Sequence, residues 1–184
     1  SFNEEIVHGI PSGRVVQSGD ILSLDVGAVV DGFHSDSAFS VGVGEITEEQ
    51  RKLIDATSES LKAGIRQAKA GNRIGDISAA VQAHAEPLGY GIVREYVGHG
   101  IGRVLHEDPQ VPNFGIAGRG PLLREGMTLA IEPMLNMGTW KTTVMEDGWT
   151  VVTADGSLSA HFEDTILITG NEAEVLSSPG STAK

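Results

Sequence analysis

Residues 23–37 read SLDVGAVVDGFHSDS, and the fold turns on how that stretch pairs with itself. Ile21–Val30 is dense in apolar and β-branched residues, Asp31-Gly32 is a strong hairpin signal, and Phe33–Val43 reads as the returning strand. A lone carboxylate is costly to bury in such a strand, yet Asp25 stands in its middle and Asp36 stands in its partner. With Asp31-Gly32 as a two-residue loop, Val30 faces Phe33, Asp25 faces Ala38 and Gly27 faces Asp36. The two aspartates then share one face on a diagonal, about 7–8 Å apart between Cα atoms, and the glycine leaves room beside them. Two carboxylates that close repel unless a cation lies between them or one keeps its proton. The pair suggests a bound cation; taken alone, it reads equally well as the solvent-facing side of an edge hairpin.

Working outward, VVQSGDILSLD (Val15–Asp25) lines up with LLREGMTLAIE (Leu122–Glu132), 107 residues later. Each runs through two apolar and two polar residues to a glycine, then a strand that ends in an acid six residues on. A His-Gly-Ile precedes each, at His8 and at His99. This is the pattern of a degenerate duplication, two half-domains on one plan. Pairing the halves should bring the Asp25 and Glu132 strands together about a two-fold axis. Two helices and a strand precede the second His-Gly-Ile, but only seven residues precede the first. The helices of the first half are therefore expected to be absent from this chain.

Between the echoes, Thr47–Ala70 opens with Thr-Glu-Glu-Gln, a capping box, keeps helical spacing at Leu53, Ile54, Leu61, Ile65 and Ala68, and stops at Gly71. A shorter helix fits Asp76–Glu86, with Pro87 closing it. Later strands are expected at Ile92–Val97, Met127–Leu135, Trp149–Thr153 and Phe162–Thr169. Gly98–Gly120 is rich in glycine and proline and reads as an ordered functional loop. The pattern is α+β, antiparallel hairpins followed by a helix pair. A single catalytic domain over residues 1–176 and a disordered tail over 177–184 are expected.

The 184 residues suffice for one substantial core. A net charge of −12, with only 13 scattered basic residues, argues against a nucleic-acid partner. No run is long enough for a membrane span and no signal peptide opens the chain. The absence of cysteine excludes disulfides and thiolate metal sites, and with it a cytoplasmic location is expected.

The acids in apolar runs need another explanation than solubility. Glu132 occupies the strand equivalent to that of Asp25, and Glu163 heads another apolar strand. Four carboxylates carry a charge of −4, which two divalent cations neutralise. In YVGHGIGRVLHEDP, Gly98, Gly100 and Gly102 frame His99 too densely for a helix, so an extended turn should hold that imidazole rigidly as a ligand candidate. The three glycines lack the spacing and following helix of a dinucleotide loop. His106 follows seven residues on, ahead of another turn. His34 and His84 look incidental, and His161, two residues before Glu163, is ambiguous.

NEEIVHGIP, LDVGAVVDGFHSDSA, GHGIGRVLHEDP, GMTLAIEPM and DGWTVVTADGSLSAHFEDTI together resemble a type I methionine aminopeptidase, from about Asn3 to Ile168. The resemblance implies the pita-bread fold, a pseudo-two-fold domain with an antiparallel sheet, outer helices and a dinuclear metal centre. It makes Asp25, Asp36, His99, Glu132 and Glu163 the metal ligands, with Asp36 and Glu163 bridging, Asp25 on one ion and His99 with Glu132 on the other. Such ligation suits Mn, Fe or Co, with Zn possible. The resemblance further implies that Glu132 moves the proton of the attacking water, His106 bonds the substrate carbonyl, His8 contacts the scissile nitrogen and Trp149 lines the methionine pocket. Leu105 stands where many bacterial relatives have phenylalanine, in the wall of that pocket. The implied substrates are the N-termini of nascent chains, and the implied state is a monomer. Family members carry about one-third more chain ahead of the Asn-Glu motif, so a separate N-terminal fragment is an expected partner. The rivals are an Xaa-Pro aminopeptidase or prolidase, and a binding protein of the same fold.

Overall fold

The computed structural model describes residues 1–177. Strand β1 (Glu5–Val7) leads to a long hairpin, β2 (Ile21–Val30) and β3 (Phe33–Gly42), followed by helices α1 (Glu48–Ile65) and α2 (Ile74–Ala85). Short strands follow: β4 (Gly91–Ile92), β5 (Gly98–Gly100), β6 (Glu107–Val111), β7 (Thr128–Ile131) and β8 (Met134–Asn136). The chain closes with β9 (Thr142–Val144), β10 (Val151–Thr153), β11 (Ser159–His161), β12 (Glu163–Ile168) and β13 (Ala173–Val175).

The hairpin has the predicted register: Asp25 pairs with Ala38, and Gly27 with Asp36. Its loop keeps Asp31 and Gly32 at positive φ, the backbone shape that an Asp-Gly turn supplies. The main sheet runs β2-β3-β12-β7-β5-β6, and β13 joins β12 beyond the stretch that pairs with β3. The two-fold is visible in the pairings. Asp25 pairs with Ala38 and Ala38 with Glu163. Asp164 pairs with Ile131, so Glu132, one residue past β7, closes the same row. Because Asp25 and Glu132 are mates in the echo, Ala38 and Glu163 are mates too, and the axis passes between β3 and β12. The expected meeting of the Asp25 and Glu132 strands is corrected: β2 and β7 flank the axis with β3 and β12 between them. The returning strands β3 and β12 offer the free edges that meet, since β7 already pairs with β5 on its far side.

Helices α1 and α2 cover the back of β7 and β12, where Leu61, Ile74 and Ile77 meet Leu129, Ile131, Ile166 and Ile168 in one core. The spacing of α1 places Leu53, Ala56, Leu61 and Gly64 on the buried side. A Cβ on Gly64 would come within 2.9 Å of Val81, so this glycine lets the two helices close on each other. Among the described residues the symmetry-related back of β2 and β3 has no such cover, apart from the start of α1 near Val41 and Gly42. Ile131 and Ile166 are 0% exposed, while their mates Leu24 and Val41 are each 37% exposed. Val26, Val30, Phe33 and Phe39 are exposed beside them.

Local differences from expectation have identifiable causes. Thr47 and Gln50 form the predicted capping box. Helix α1 stops at Ile65 rather than Ala70, because the next residues tighten into turns that tie Ala70 to Thr169 and Gly71 to Leu123. α2 begins at Ile74, two residues early, with Asp76 accepting from the Arg73 N–H. The strand expected over Met127–Leu135 breaks at Glu132-Pro133, where proline cannot donate to a ladder. Of Ile92–Val97, only Ile92 is paired, within β4. Trp149 lies outside β10, its N–H turned back to Asp147. The expected loop from Gly98 contains two sheet strands: His99 lies in β5, not in an extended turn. A Cβ on Gly98 would come within 2.3 Å of the Ala130 carbonyl, so glycine is what allows β5 to lie so close to β7. Ser177, the first residue of the expected tail, bonds Asp164 and the Thr165 N–H; the rest of that tail lies outside the described residues.

Candidate metal centre

Side chains alternate across a strand, so the pairings decide which residues share the front face. Asp25, Ala38, Glu163 and Glu132 form one row. Two residues along, Asp36 on β3, Thr165 on β12, Ala130 on β7 and His99 on β5 form the next, since Thr165 pairs with Ala130 and Ala130 with His99. All five residues expected as ligands therefore face the same side, opposite the helices.

Asp36, His99 and Glu163 each offer a ligand atom, and these atoms lie within 4.8 Å of one another. Glu132 Oε1 stands 3.5 Å from His99 Nε2. Asp25 stands at the exposed end, on β2 diagonal to Asp36. Thr165 fixes Asp36 from behind: its hydroxyl accepts from the Asp36 N–H at 2.9 Å and donates to the Asp36 carbonyl at 2.7 Å. Asn113 holds the other end, donating to the Glu132 carbonyl at 3.0 Å.

The electrostatics are those of an anion cluster lacking its counter-charge. Burial, then the charges of Asp36 and Asp25, holds Glu132 well above the usual carboxylate range. Burial, then Glu132 and both aspartates, does the same to Glu163. Desolvation raises Asp25 and Asp36 as well, with Asp36 a further cause at Asp25. Glu163 Oε1 is buried with no hydrogen-bond partner among the described residues. Four carboxylates and one imidazole, one oxygen of them orphaned, fit oxygen-preferring divalent cations.

Around this row stand the other expected residues. The His106 ring meets His99 edge-on, 4.3 Å between centroids. His8, at positive φ just after β1, stacks on Trp149 at 5.0 Å and meets the edge of Tyr96 at 5.6 Å. Desolvation lowers the pKa of both His8 and His99. A cavity of about 620 Å³ opens beside His8 and Asp25, walled by Met145 and Trp149. Leu105 is half-buried in the loop between β5 and β6 and does not line that cavity. His84 stands apart on α2, while His34 shares the face of Asp36 near the hairpin tip. Thr165, Asn113 and Tyr96 escaped sequence reasoning. Only Thr165 carried a signal, lying two residues past Glu163 on one strand face.

Residues 1–170 match metallopeptidase family M24. Methionine aminopeptidase of Clostridium perfringens is 53% identical over 176 residues, covering 96% of this chain and 71% of that protein. Methionine aminopeptidase 1 of Bacillus subtilis is 51% identical over the same shares. The crystal structure of methionine aminopeptidase from Thermotoga maritima superposes with a TM-score of 0.95 at 53% identity, over 97% of this chain and 72% of that one. Prolidase from Pyrococcus furiosus superposes with a TM-score of 0.75 at 26% identity, over 94% of this chain and 45% of that one. The pita-bread fold is thus common to both groups. No helix among the described residues is long and apolar enough to cross a membrane.

Proposed function

Because the chain belongs to metallopeptidase family M24, we propose that it removes N-terminal methionine from newly made polypeptides in the cytoplasm, using two divalent ions. The observation that carries the reading is the single front face on which five strands gather Asp25, Asp36, His99, Glu132 and Glu163. The relatives at about 50% identity favour methionine over the Xaa-Pro substrates of the more distant prolidases.

Asp25, Asp36, His99, Glu132 and Glu163 would hold the ions, Asp25 at one end of the cluster and His99 with Glu132 at the other. Mn, Fe, Co and Zn all suit this set. When bound, such ions polarise a carbonyl and lower the pKa of water toward neutrality. Glu132 would accept the proton of the attacking water and return it to the leaving amine, a task for a largely buried carboxylate beside the ions. His106 donates to the substrate carbonyl as charge develops on it. His8, steadied by Trp149 and Tyr96, contacts the scissile nitrogen. Trp149 and Met145 offer the side-chain pocket an aromatic ring and a thioether for methionine.

Peptide cleavage tests the assignment. Met-Ala-Ser is expected to be cut in preference to Ala-Pro peptides; the reverse preference overturns it. Asp36→Asn is expected to weaken metal binding and abolish turnover, and retained activity refutes a bridging role.

The bare back of β2 and β3 supports a second part of the reading. It is the mate of the face that α1 and α2 cover, and the chain spans 71% of its relatives' length. A helical segment of about 70 residues, the size of a duplicated half, covers it in the complete catalytic unit. Adding that segment as a separate chain is expected to raise activity and to protect the amides of β2 and β3 from hydrogen exchange. No protection on mixing would count against it.

A further inference from the structure

His161 is the one buried histidine left without a task. We propose that it is a positioning residue for Glu132: its Nε2–H donates to the Glu132 carboxylate and sets the angle at which that carboxylate meets its ion. The inference rests on the dinuclear reading above and extends it by one residue.

Ala38 and Glu163 are mates across the axis. Two positions back along each strand, Asp36 is therefore the mate of His161; two positions on, Ser40 is the mate of Thr165. The hydrogen bonds obey this mapping. Thr165 Oγ1 accepts from the Asp36 N–H and donates to the Asp36 carbonyl. Ser40 Oγ accepts from the His161 N–H at 2.8 Å and donates to the His161 carbonyl at 2.9 Å. The same clamp thus grips both residues, one in each half. Its effect is the same in each half: the side chain is turned to the front face, where Asp36 stands diagonal to Asp25 and His161 stands beside Glu132.

The geometry at the imidazole follows. His161 is 2% exposed, and its Nε2 is buried with no hydrogen-bond partner among the described residues. The nearest acid is Glu132, whose Oε2 lies 4.0 Å away, while Oε1 of the same carboxylate faces His99. A small rotation of Glu132 closes the gap to hydrogen-bond length. A neutral imidazole carries one N–H, and on Nε2 that N–H faces the Glu132 carboxylate. The His161 Nε2 faces the outer oxygen of Glu132, the one turned away from His99, a place suited to orienting that ligand. Such partners of metal ligands are typically worth about 10- to 100-fold in affinity.

Two measurements on the whole chain test this. In calorimetric titration with Mn(II) or Co(II), His161→Leu, which removes the donor and keeps the bulk, is expected to weaken one of the two ions about 10- to 100-fold. The other ion should be unchanged, and His161→Gln, which keeps an N–H, should restore most of the loss. Equal affinities in the leucine variant and the parent overturn the inference, as does an equal loss at both ions. Nitrogen-15 NMR of the Zn(II)-loaded parent needs no variant: the His161 Nε2 is expected to carry its proton. An unprotonated or zinc-bound Nε2 overturns the inference. A parent protein that binds no metal at all would instead sink the dinuclear reading itself.

Discussion

Replacing Ser40 with alanine tests the clamp that both halves share. The Ser40 hydroxyl makes three contacts: it accepts from the His161 N–H, donates to the His161 carbonyl, and lies 2.7 Å from the Ser23 hydroxyl. Ser40 is 3% exposed, and the His161 backbone is equally shut off from water. Alanine leaves one buried N–H and one buried carbonyl without partners, each costing about 1–3 kcal/mol. Ser23 can rotate to another acceptor, so it adds little. The total is about 2–6 kcal/mol, a large part of the stability of a domain this size. At about 2–4 °C per kcal/mol, the midpoint of thermal unfolding should fall by roughly 4–24 °C. Urea unfolding followed by circular dichroism gives the free energy directly. The mate, Thr165→Val, is the internal control. Asp36 is only half-buried, so water replaces the lost hydroxyl and stability should fall by only about 1 kcal/mol; the visible loss should be in metal affinity. If Ser40→Ala costs less than Thr165→Val, the reasoning that ties the cost to buried, unpartnered backbone is wrong.

Gly98→Ala forces a methyl against the Ala130 carbonyl at 2.3 Å, so β5 must shift; a loss of about 1–3 kcal/mol and weaker metal binding at His99 are expected, read by melting and calorimetry. The metal-free site should make stability fall as pH rises. Folding raises the pKa values of Asp25, Asp36, Glu132 and Glu163, so the folded state holds extra protons. The stability this confers is complete below the ordinary carboxylate range, near ~4, and is lost as pH climbs through the raised values. Melts in chelator should show this slope shrinking in Glu163→Gln, and Co(II) at ~100 times its Kd should add about 2.7 kcal/mol; an unchanged slope in the variant refutes the assignment. Asp155 behaves oppositely. The Thr139 N–H, followed by Ser157, holds its pKa down to about 2. Its contribution is present above the ordinary range and lost as pH falls toward that value. Asp155→Ala should cost about 1 kcal/mol at pH 7 and nothing near pH 2, by thermal melts.

How much of this was legible follows from what each feature depends on. The register of β2 and β3 needs only a turn type and a period of two, both local, so Asp25, Gly27 and Asp36 fall where the sequence places them. The capping box of α1 is local in the same way. The break at Glu132-Pro133 is half legible: proline announces it, but only the ladder shows that Glu132 stays in line with Glu163 while the strand divides into β7 and β8. His99 in a paired strand was hidden because glycine reads as turn unless a neighbouring backbone is known to approach.

His161 was hidden for a different reason. Its role depends on which residue is the mate of which, and the echo of Val15–Asp25 reaches only the first strand of each hairpin. The returning strands share too little sequence to be aligned by eye. Their equivalence emerges once β3 and β12 are seen to pair across the axis, because an antiparallel pair on a two-fold matches mates automatically. The same pairing explains why one half can be bare while the site is complete. The front face is made by strands, and both hairpins are present, so the five residues expected as ligands share it. The back face is a matter of helices, of which one pair is present among the described residues. If the proposed covering segment and the two proposed ions are right, the open back of β2 and β3 leaves Asp25 and Asp36 less stiffly held, without touching the side of the cluster that His99 and Glu132 build. The ion proposed at the aspartates is then the one expected to bind more weakly in this chain and to gain most when the segment is added.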